Sequence, residues 1–380
     1  LGARWGARSP PGAERRLFWF LLNGHSIITT ERSVFLMDIQ RRQMVQGAGL
    51  SLVLKSGGVA LPVTIASPAW AQLRRERWMA PSRITLLQAY VFVAAEEGYF
   101  KDQGLDVQIQ DSGGTATSIT QVAAGTVSFG QSAPISTCPA IADRGLNVVT
   151  IGQMAYNGFF EIASLPGKPL RHPKDWQGKT IGLMSVGGTT DYLLDAMSIS
   201  QGLDPKNVKK VVTGLGATGM AFLQRGEVDG FFVFYETKVG LNMQGAKLEY
   251  LHTDSFAKLP GDALIVSTGL ADNPANEKML VGYLRACSKA VEFVLNPANE
   301  DKVLGYLKKY NPQEGQQVPK NREIMKFVRG YITPPSGIKP VVLSEKDWTA
   351  GLKMMRDIGM IKDKSVPDSR FFTNKFAAQI

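Results

Sequence analysis

A strand, glycine turn, helix, strand unit that occurs twice constrains this chain more than any other feature. The first copy runs from Asp106 to Gly130. Val107 and Ile109 alternate with polar residues, which is a strand pattern. Gly113 and Gly114 break that strand, Thr115 or Thr117 caps the helix that follows, and Gly125 ends it. Val127 and Phe129 open the next strand. About 100 residues later the unit returns, too widely spaced for a short tandem repeat. Lys210 to Thr213 is the strand, Gly214-Leu215-Gly216-Ala217-Thr218-Gly219 the turn, Met220 to Arg225 the helix, and Phe231 to Phe234 the second strand. A single such recurrence predicts two similar α/β lobes, because a solenoid needs three or more stacked units. Two lobes enclose a cleft, and in open α/β sheets ligands sit beyond the carboxyl ends of the strands.

The length of 380 residues fits this organisation, since it is roughly two domains' worth of chain. A hydrophobic content of 44% is enough for a sizeable core. The formal charge is +10, and +5 of it falls in the first 71 residues. Elsewhere Lys and Arg are scattered, which is the pattern of a solvated surface and not of a nucleic-acid partner. Cys138 and Cys287 form no Cys-x-x-Cys pair, so the sequence offers no zinc or thioredoxin-like site. Two buried thiols on helices are expected in preference to a disulfide.

The first seventy residues stand apart. Residues 1–36 mix Arg-Pro-Gly segments with one apolar run, Leu17 to Leu22, too short to span a bilayer. Met37 fits a true start. After it come the charged front Arg41-Arg42, a moderately apolar stretch from Gly47 to Ala66, and the small-x-small site Ala69-Trp70-Ala71. Those are the three parts of a secretory signal, and the mature chain is expected to begin at Gln72. The paired arginines resemble a twin-arginine export signal, although Lys55 interrupts the core.

In the mature chain, Arg83 to Leu87 is predicted as a first strand, with Gln88, Ala89 and Tyr90 at its carboxyl end. Val91 to Glu97 follows as a helix closed by Gly98. Glu161 to Leu165 and Ala263 to Ser267 are predicted as the two crossings between lobes. Asp191 to Gln201 is predicted as a helix, and Ser344 begins another.

Three segments carry a family likeness: Ala94 to Val107 (Ala-Ala-Glu-Glu-Gly-Tyr-Phe-Lys-Asp-Gln-Gly-Leu-Asp-Val), Asp175 to Gly182 (Asp-Trp-Gln-Gly-Lys-Thr-Ile-Gly), and Leu223 to Gly230 (Leu-Gln-Arg-Gly-Glu-Val-Asp-Gly). In this order, from Leu86 to about Phe376, the chain resembles the extracytoplasmic solute-binding proteins of ABC importers. The branch is the one with alkanesulfonate-, taurine- and nitrate-binding proteins and thiamine-pyrimidine-precursor binders. The resemblance implies an α/β, two-lobed periplasmic-binding-protein fold, type II-like, with two crossing strands as a hinge. It implies residues 1–71 as extension and export signal, 81–163 and 265–380 as lobe one, and 164–264 as lobe two.

Candidate ligand contacts come from two residue classes. The turns Ser112-Gly113-Gly114-Thr115 and Gly187-Gly188-Thr189-Thr190 each precede a helix, where unpaired N–H groups and the helix dipole favour an anion. The bland alternative is that glycine makes the turn and threonine caps the helix. Gly214-x-Gly216-x-x-Gly219 matches a dinucleotide pattern but lacks the acidic partner, so it is the tight turn of the repeat. Aromatic and polar side chains at strand ends form the second class: Gln88, Tyr90, Ser132, Tyr156, Tyr235 and Glu236. Rings there sandwich a planar body, or else simply belong to the core, which is the expectation for Phe159, Phe231 and Phe232. His25, His172 and His252 are isolated, and neither His-x-x-x-His nor Gly-x-Ser-x-Gly occurs. Neither an enzyme, a metal nor a cofactor is therefore expected. The expected role is periplasmic capture of a small organic anion or heterocycle by lobe closure, on a monomer that delivers it to a membrane permease. An enzyme of pyrimidine-precursor biosynthesis on the same scaffold, or a ligand-sensing module, remains as the alternative.

Overall fold

The computed structural model describes residues 73–214 and 216–380. The export-type segment, with Met37, Arg41 and Arg42, lies outside the described residues, as does the cleavage site at Ala69 to Ala71. Among the described residues no helix is long and apolar enough to cross a membrane.

Among the described residues, ten strands form two sheets. In chain order the elements used below are β1 (Arg74–Met79), α1 (Ala89–Glu96), β2 (Leu105–Gln110), α2 (Thr115–Ala123), β3 (Phe129–Ser132), α3 (Pro134–Ala142), β4 (Val148–Gln153) and β5 (Phe160–Ser164). Then come β6 (Thr180–Leu183), α4 (Thr189–Ser200), β7 (Lys209–Val212), α5 (Ala217–Gln224), β8 (Gly230–Phe234), α6 (Tyr235–Met243), β9 (Glu249–His252) and β10 (Ala263–Ser267). The long helices α7 (Glu277–Leu295), α8 (Val318–Ile332) and α9 (Glu345–Asp357) follow.

The first sheet has the order β2-β1-β3-β10-β4 and the second β7-β6-β8-β5-β9. In each, three parallel strands are joined by an antiparallel strand to the fifth. The chain passes between the sheets at residues 154–159 and 253–262. Leu165 therefore lies just past β5, and Ile265 inside β10.

The expected strand over Arg83 to Leu87 is instead a capped turn. The Thr85 hydroxyl accepts from Leu87 N at 3.3 Å, and Gln88 Oε1 accepts from Thr85 N at 2.9 Å. This reciprocal cap starts a short 3₁₀ turn that runs into α1. The true first strand is β1, ahead of residue 81. Its sequence Arg-Arg-Glu-Arg-Trp-Met looks like a charged loop. Glu76 and Trp78 nevertheless point inward while Arg75 and Arg77 stay exposed. Arg74 pairs with the buried Glu76, which offsets its desolvation.

Helix α7 supplies the largest single apolar face to lobe one. Its Tyr283 ring stacks on Phe129 at a centroid distance of 3.7 Å and on Phe100 at 5.7 Å. Phe231 and Phe232 are fully buried in lobe two, and Phe159 packs beside Phe160 and Tyr331. Both cysteines are free and buried, and burial pushes both thiols far above their ordinary range.

Candidate functional site

Parallel strands aim their carboxyl ends at one edge of each sheet, and the loops there meet across the lobes. In lobe one, Ser112 Oγ accepts from Gly114 N at 3.1 Å, which shapes the turn into α2. Gly114 has φ of 147°, open to glycine and costly for other residues. The first internal bond of α2 runs from Ser118 N to Gly114 O, and no acceptor among the described residues takes the amides of Thr115, Ala116 and Thr117.

In lobe two a second glycine turn opens α4. Gly187 has φ of 69°, and a Cβ on Gly188 would meet Ser185 Oγ at 2.1 Å. This helix start is more heavily self-satisfied than its sequence implies. Asp191 Oδ2 accepts from Gly187 N at 2.7 Å, and Thr190 Oγ1 accepts from Met184 N at 3.0 Å. Thr190 is fully buried and serves as scaffold. Lys210 bonds both Asp191 and Asp195, so the acid beside the turn is balanced by a cation. The amides of Gly188, Thr189 and Thr190 have no acceptor among the described residues. One groove of 390 Å³ is lined by Ala116 and Ile119 of α2, by α3, and by Gly187 and Tyr192 of lobe two.

The aromatic and polar candidates divide. Tyr90 projects from α1 into the core, where its hydroxyl donates to Gln131 Oε1 at 3.0 Å. Gln131 Nε2 in turn donates to Asp262 Oδ2 at 2.7 Å. The pairing of Leu264 with Gln131 explains this contact: Asp262 lies two residues before Leu264 and shares its face. Tyr235 opens α6 at the end of β8 and donates to Glu236 Oε1 at 3.1 Å. Its ring meets Tyr331 of α8 edge-on at 5.6 Å, a contact between lobes. The Thr85 hydroxyl, which donates to Gln88 Oε1 at 3.1 Å, partly opposes the upward shift of the Tyr235 phenol. Tyr90, Gln88, Tyr235 and Glu236 thus join one interlobe cluster. Ser132 ends β3 and accepts from Thr137 on the opposite face of the strand. Tyr156 points elsewhere: its hydroxyl donates to the carbonyls of Val342 at 3.0 Å and Lys339 at 3.3 Å, anchoring the C-terminal segment.

The electrostatics of this cluster are unusual. Burial raises the Asp262 carboxyl above its ordinary value, with only the Gln131 hydrogen bond opposing. Burial likewise raises Tyr90 and Tyr235 well above the phenol range, and the Asp262 charge adds to both. Glu236 is raised by burial, with Lys320 and the Tyr235 bond acting against it. Sequence patterns single out neither Gln131 nor Asp262. The only available signal is an acid directly before the apolar strand Ala263 to Val266.

The family model described as NMT1/THI5 like matches residues 88–300. A curated 4-amino-5-hydroxymethyl-2-methylpyrimidine phosphate synthase of Schizosaccharomyces pombe is 28% identical over 160 residues, covering 40% of this chain and 45% of its own. The chain spans about half the length of the curated relatives it matches. Among solved structures, the periplasmic aliphatic sulphonate binding protein SsuA from Escherichia coli superposes with a TM-score of 0.62 at 15% identity, covering 78% of this chain and 91% of that one. The periplasmic nitrate-binding protein NrtA from Synechocystis PCC 6803 gives 0.56 at 15% identity, covering 80% and 87%. These likenesses establish the two-lobed periplasmic-binding-protein fold. The expectation that the chain is not an enzyme is corrected, because the curated relatives carry the name of a synthase. Isolated histidines and missing hydrolase motifs exclude particular chemistries only, not catalysis in general.

Proposed function

The chain belongs to the NMT1/THI5-like family, and on that premise we propose that it captures a small heterocyclic or anionic solute between its lobes. The observation that carries this reading is a groove flanked by the start of α2 on one lobe and the turn before α4 on the other. Free amide hydrogens at both helix starts suit an anionic group. The rings of Tyr235 and Tyr331 meet between the lobes outside the lining of that groove, and rings of this kind suit a planar body. A ligand that touches both lobes favours the closed arrangement over the open one. Delivery to a permease of an ABC importer, from the periplasm and by a monomer, belongs to the same proposal. It is supported by the solute-binding neighbours of the same fold.

Binding to the folded state must raise its apparent stability, by about 2.7 kcal/mol at a ligand concentration 100 times Kd. A thermal-shift screen over carboxylates, sulfonates and pyrimidines is expected to give a Tm rise with at least one class. X-ray scattering with that compound is expected to give a smaller radius of gyration. No shift anywhere in the screen, or an unchanged scattering profile at saturation, counts against capture by closure. The synthase names of the curated relatives favour a second reading, formation of a pyrimidine phosphate. Growth of a pyrimidine-requiring thiamine auxotroph on this chain alone would support that reading, and failure to grow would leave capture as the better one.

A further inference from the structure

The two crossings change lobes within a few residues of one hydrogen bond. In the first crossing the amides of Met154 and Ala155 donate to Asp262 O at 2.8 and 3.0 Å, and Tyr156 N donates to Tyr331 O of α8 at 2.8 Å. Asn157 Nδ2 donates to Gly330 O, also of α8, at 3.1 Å. Residues 154–157 are thus tied to lobe one. Gly158 is tied to lobe two instead: His252 Nε2 of β9 lies 3.0 Å from its carbonyl oxygen, and its N–H donates to Asp254 Oδ2 at 2.6 Å. In the second crossing the Thr253 hydroxyl donates to Phe160 O of β5 at 3.1 Å. Phe256 packs edge-on against His172 of lobe two, with centroids 4.9 Å apart. Lys258 then pairs with Asp347 of α9 at 3.1 Å, and Pro260 fills the space where Gly351 of α9 has no Cβ. The change of lobe therefore falls between Asn157 and Gly158, and between Phe256 and Lys258.

Rigid-body motion of two lobes is absorbed by a few residues at element ends. A segment bonded to one lobe moves with it, which leaves those two steps to take up the backbone rotation. Among the described residues no backbone–backbone bond joins residues 157–159 to residues 253–258. The Asp254 carboxylate joins them instead. Its own backbone N–H donates to His252 Nδ1 at 3.3 Å, which directs the Nε2–H of that ring at Gly158 O. Gly158 is matched to this carboxylate. A Cβ there would collide with Asp254 Oδ1, and its φ lies outside the positive range that otherwise calls for glycine. Space for Asp254 is what glycine provides at this position.

We propose that Asp254 is the pin of the hinge: bending between the lobes is confined to the steps Asn157–Gly158 and Phe256–Lys258, and the Asp254–Gly158 bond sets the angle at which lobe two is held. This deepens the closure reading above, because the pin then governs how often the cleft stands open to a solute. It is nevertheless read without any ligand. Asp254→Ala leaves the Gly158 N–H without its partner and loosens the angle. Gly158→Ala keeps every polar group but forces the carboxylate aside, which resets the angle. The two changes together remove both the bond and the collision, so the double variant follows Asp254→Ala.

The test is the distance between two nitroxide labels on the full chain, measured by pulsed electron spin resonance. Lys206→Cys on lobe two and Lys346→Cys on lobe one carry the labels; both positions are exposed, and both native cysteines are buried. The labelled protein is expected to give one distance peak. Asp254→Ala is expected to broaden that peak, and Gly158→Ala to shift its mean. The double variant is expected to be broadened without the shift. Asp254→Asn, whose amide oxygen still accepts from Gly158 N, is expected to leave the peak in place. Tyr156→Phe loses the bonds to Val342 and Lys339 at the lobe-one end, and is expected to lower Tm with the peak unchanged. Thermal unfolding checks that each variant folds. An unshifted mean in folded Gly158→Ala overturns the pin, whether or not Asp254→Ala folds. So does broadening by Tyr156→Phe as large as that by Asp254→Ala, since bending would then spread along the whole crossing. A ligand screen without a single hit counts against capture and leaves these distances as they are.

Discussion

Asp262 shows how one residue is held at a cost to the fold. Burial keeps its carboxyl above the ordinary value of 3.8. Between 3.8 and the higher folded-state value, the native protein keeps a proton that the unfolded chain has released. Stability contributed by this group therefore falls as pH rises through that window. Asp262→Asn is expected to be more stable than wild type at pH 7, and the advantage is expected to vanish toward pH 4. Urea unfolding of both proteins across that range checks the sign. A variant less stable than wild type at pH 7, with the deficit shrinking as the carboxyl protonates in acid, would instead mean that the carboxylate is compensated by a cation. At this scale Tyr235 and Glu236 are legible in the sequence as polar residues at a strand end. Gln131 and Asp262 are not, because their contact joins positions 131 residues apart.

At the scale of elements, the glycines fix how strands hand over to helices. Gly214 and Gly216 have φ of 67° and 77°, so the turn before α5 needs the left-handed region twice. Gly219 has another role: a Cβ there would meet the Phe231 ring at 2.3 Å. The third glycine of the turn thus lets α5 lie directly on β8. Gly219→Ala is expected to destabilise by about 1–3 kcal/mol through overpacking, read as a lower Tm with the fold retained. Unchanged stability would mean that α5 shifts freely on its sheet. The turn before α4 illustrates the limit of pattern reading. Gly187-Gly188-Thr189-Thr190 has the composition of an anion site, yet Asp191 and Thr190 consume backbone donors around it. Strand β1 illustrates the same limit in reverse. Its charges hide a central strand, because alternation is legible only once the partner strands are in place.

At the scale of the molecule, the two sheets have the same order with different chain positions. β1, β2 and β3 match β6, β7 and β8, so the helix start after β1 is the counterpart of the turn before α4. The Thr85–Gln88 cap and the Gly187–Thr190 turn are therefore equivalent corners, one in each lobe. The recurrence visible in the sequence pairs different corners, β2–α2 with β7–α5. Lobe contact runs through Tyr235 against Tyr331 and through Lys238, whose Nζ lies 5.2 Å from the Phe327 ring centroid. Tyr235→Ala removes the larger of these contacts and is expected to cost about 3–5 kcal/mol. The free variant is expected to scatter as a more open particle and to bind any lobe-bridging ligand more weakly. An unchanged radius of gyration would show that other contacts hold the lobes.

The sequence by itself determined the two α/β lobes, their glycine turns and most strand positions, because alternation, glycine and capping are local physics carried by neighbouring residues. Only the tertiary structure decided which polar groups face one another across the gap. A strand pairing sets Asp262 beside Gln131, and the second crossing sets it near Tyr235. Burial then leaves this acid without a cation among the described residues.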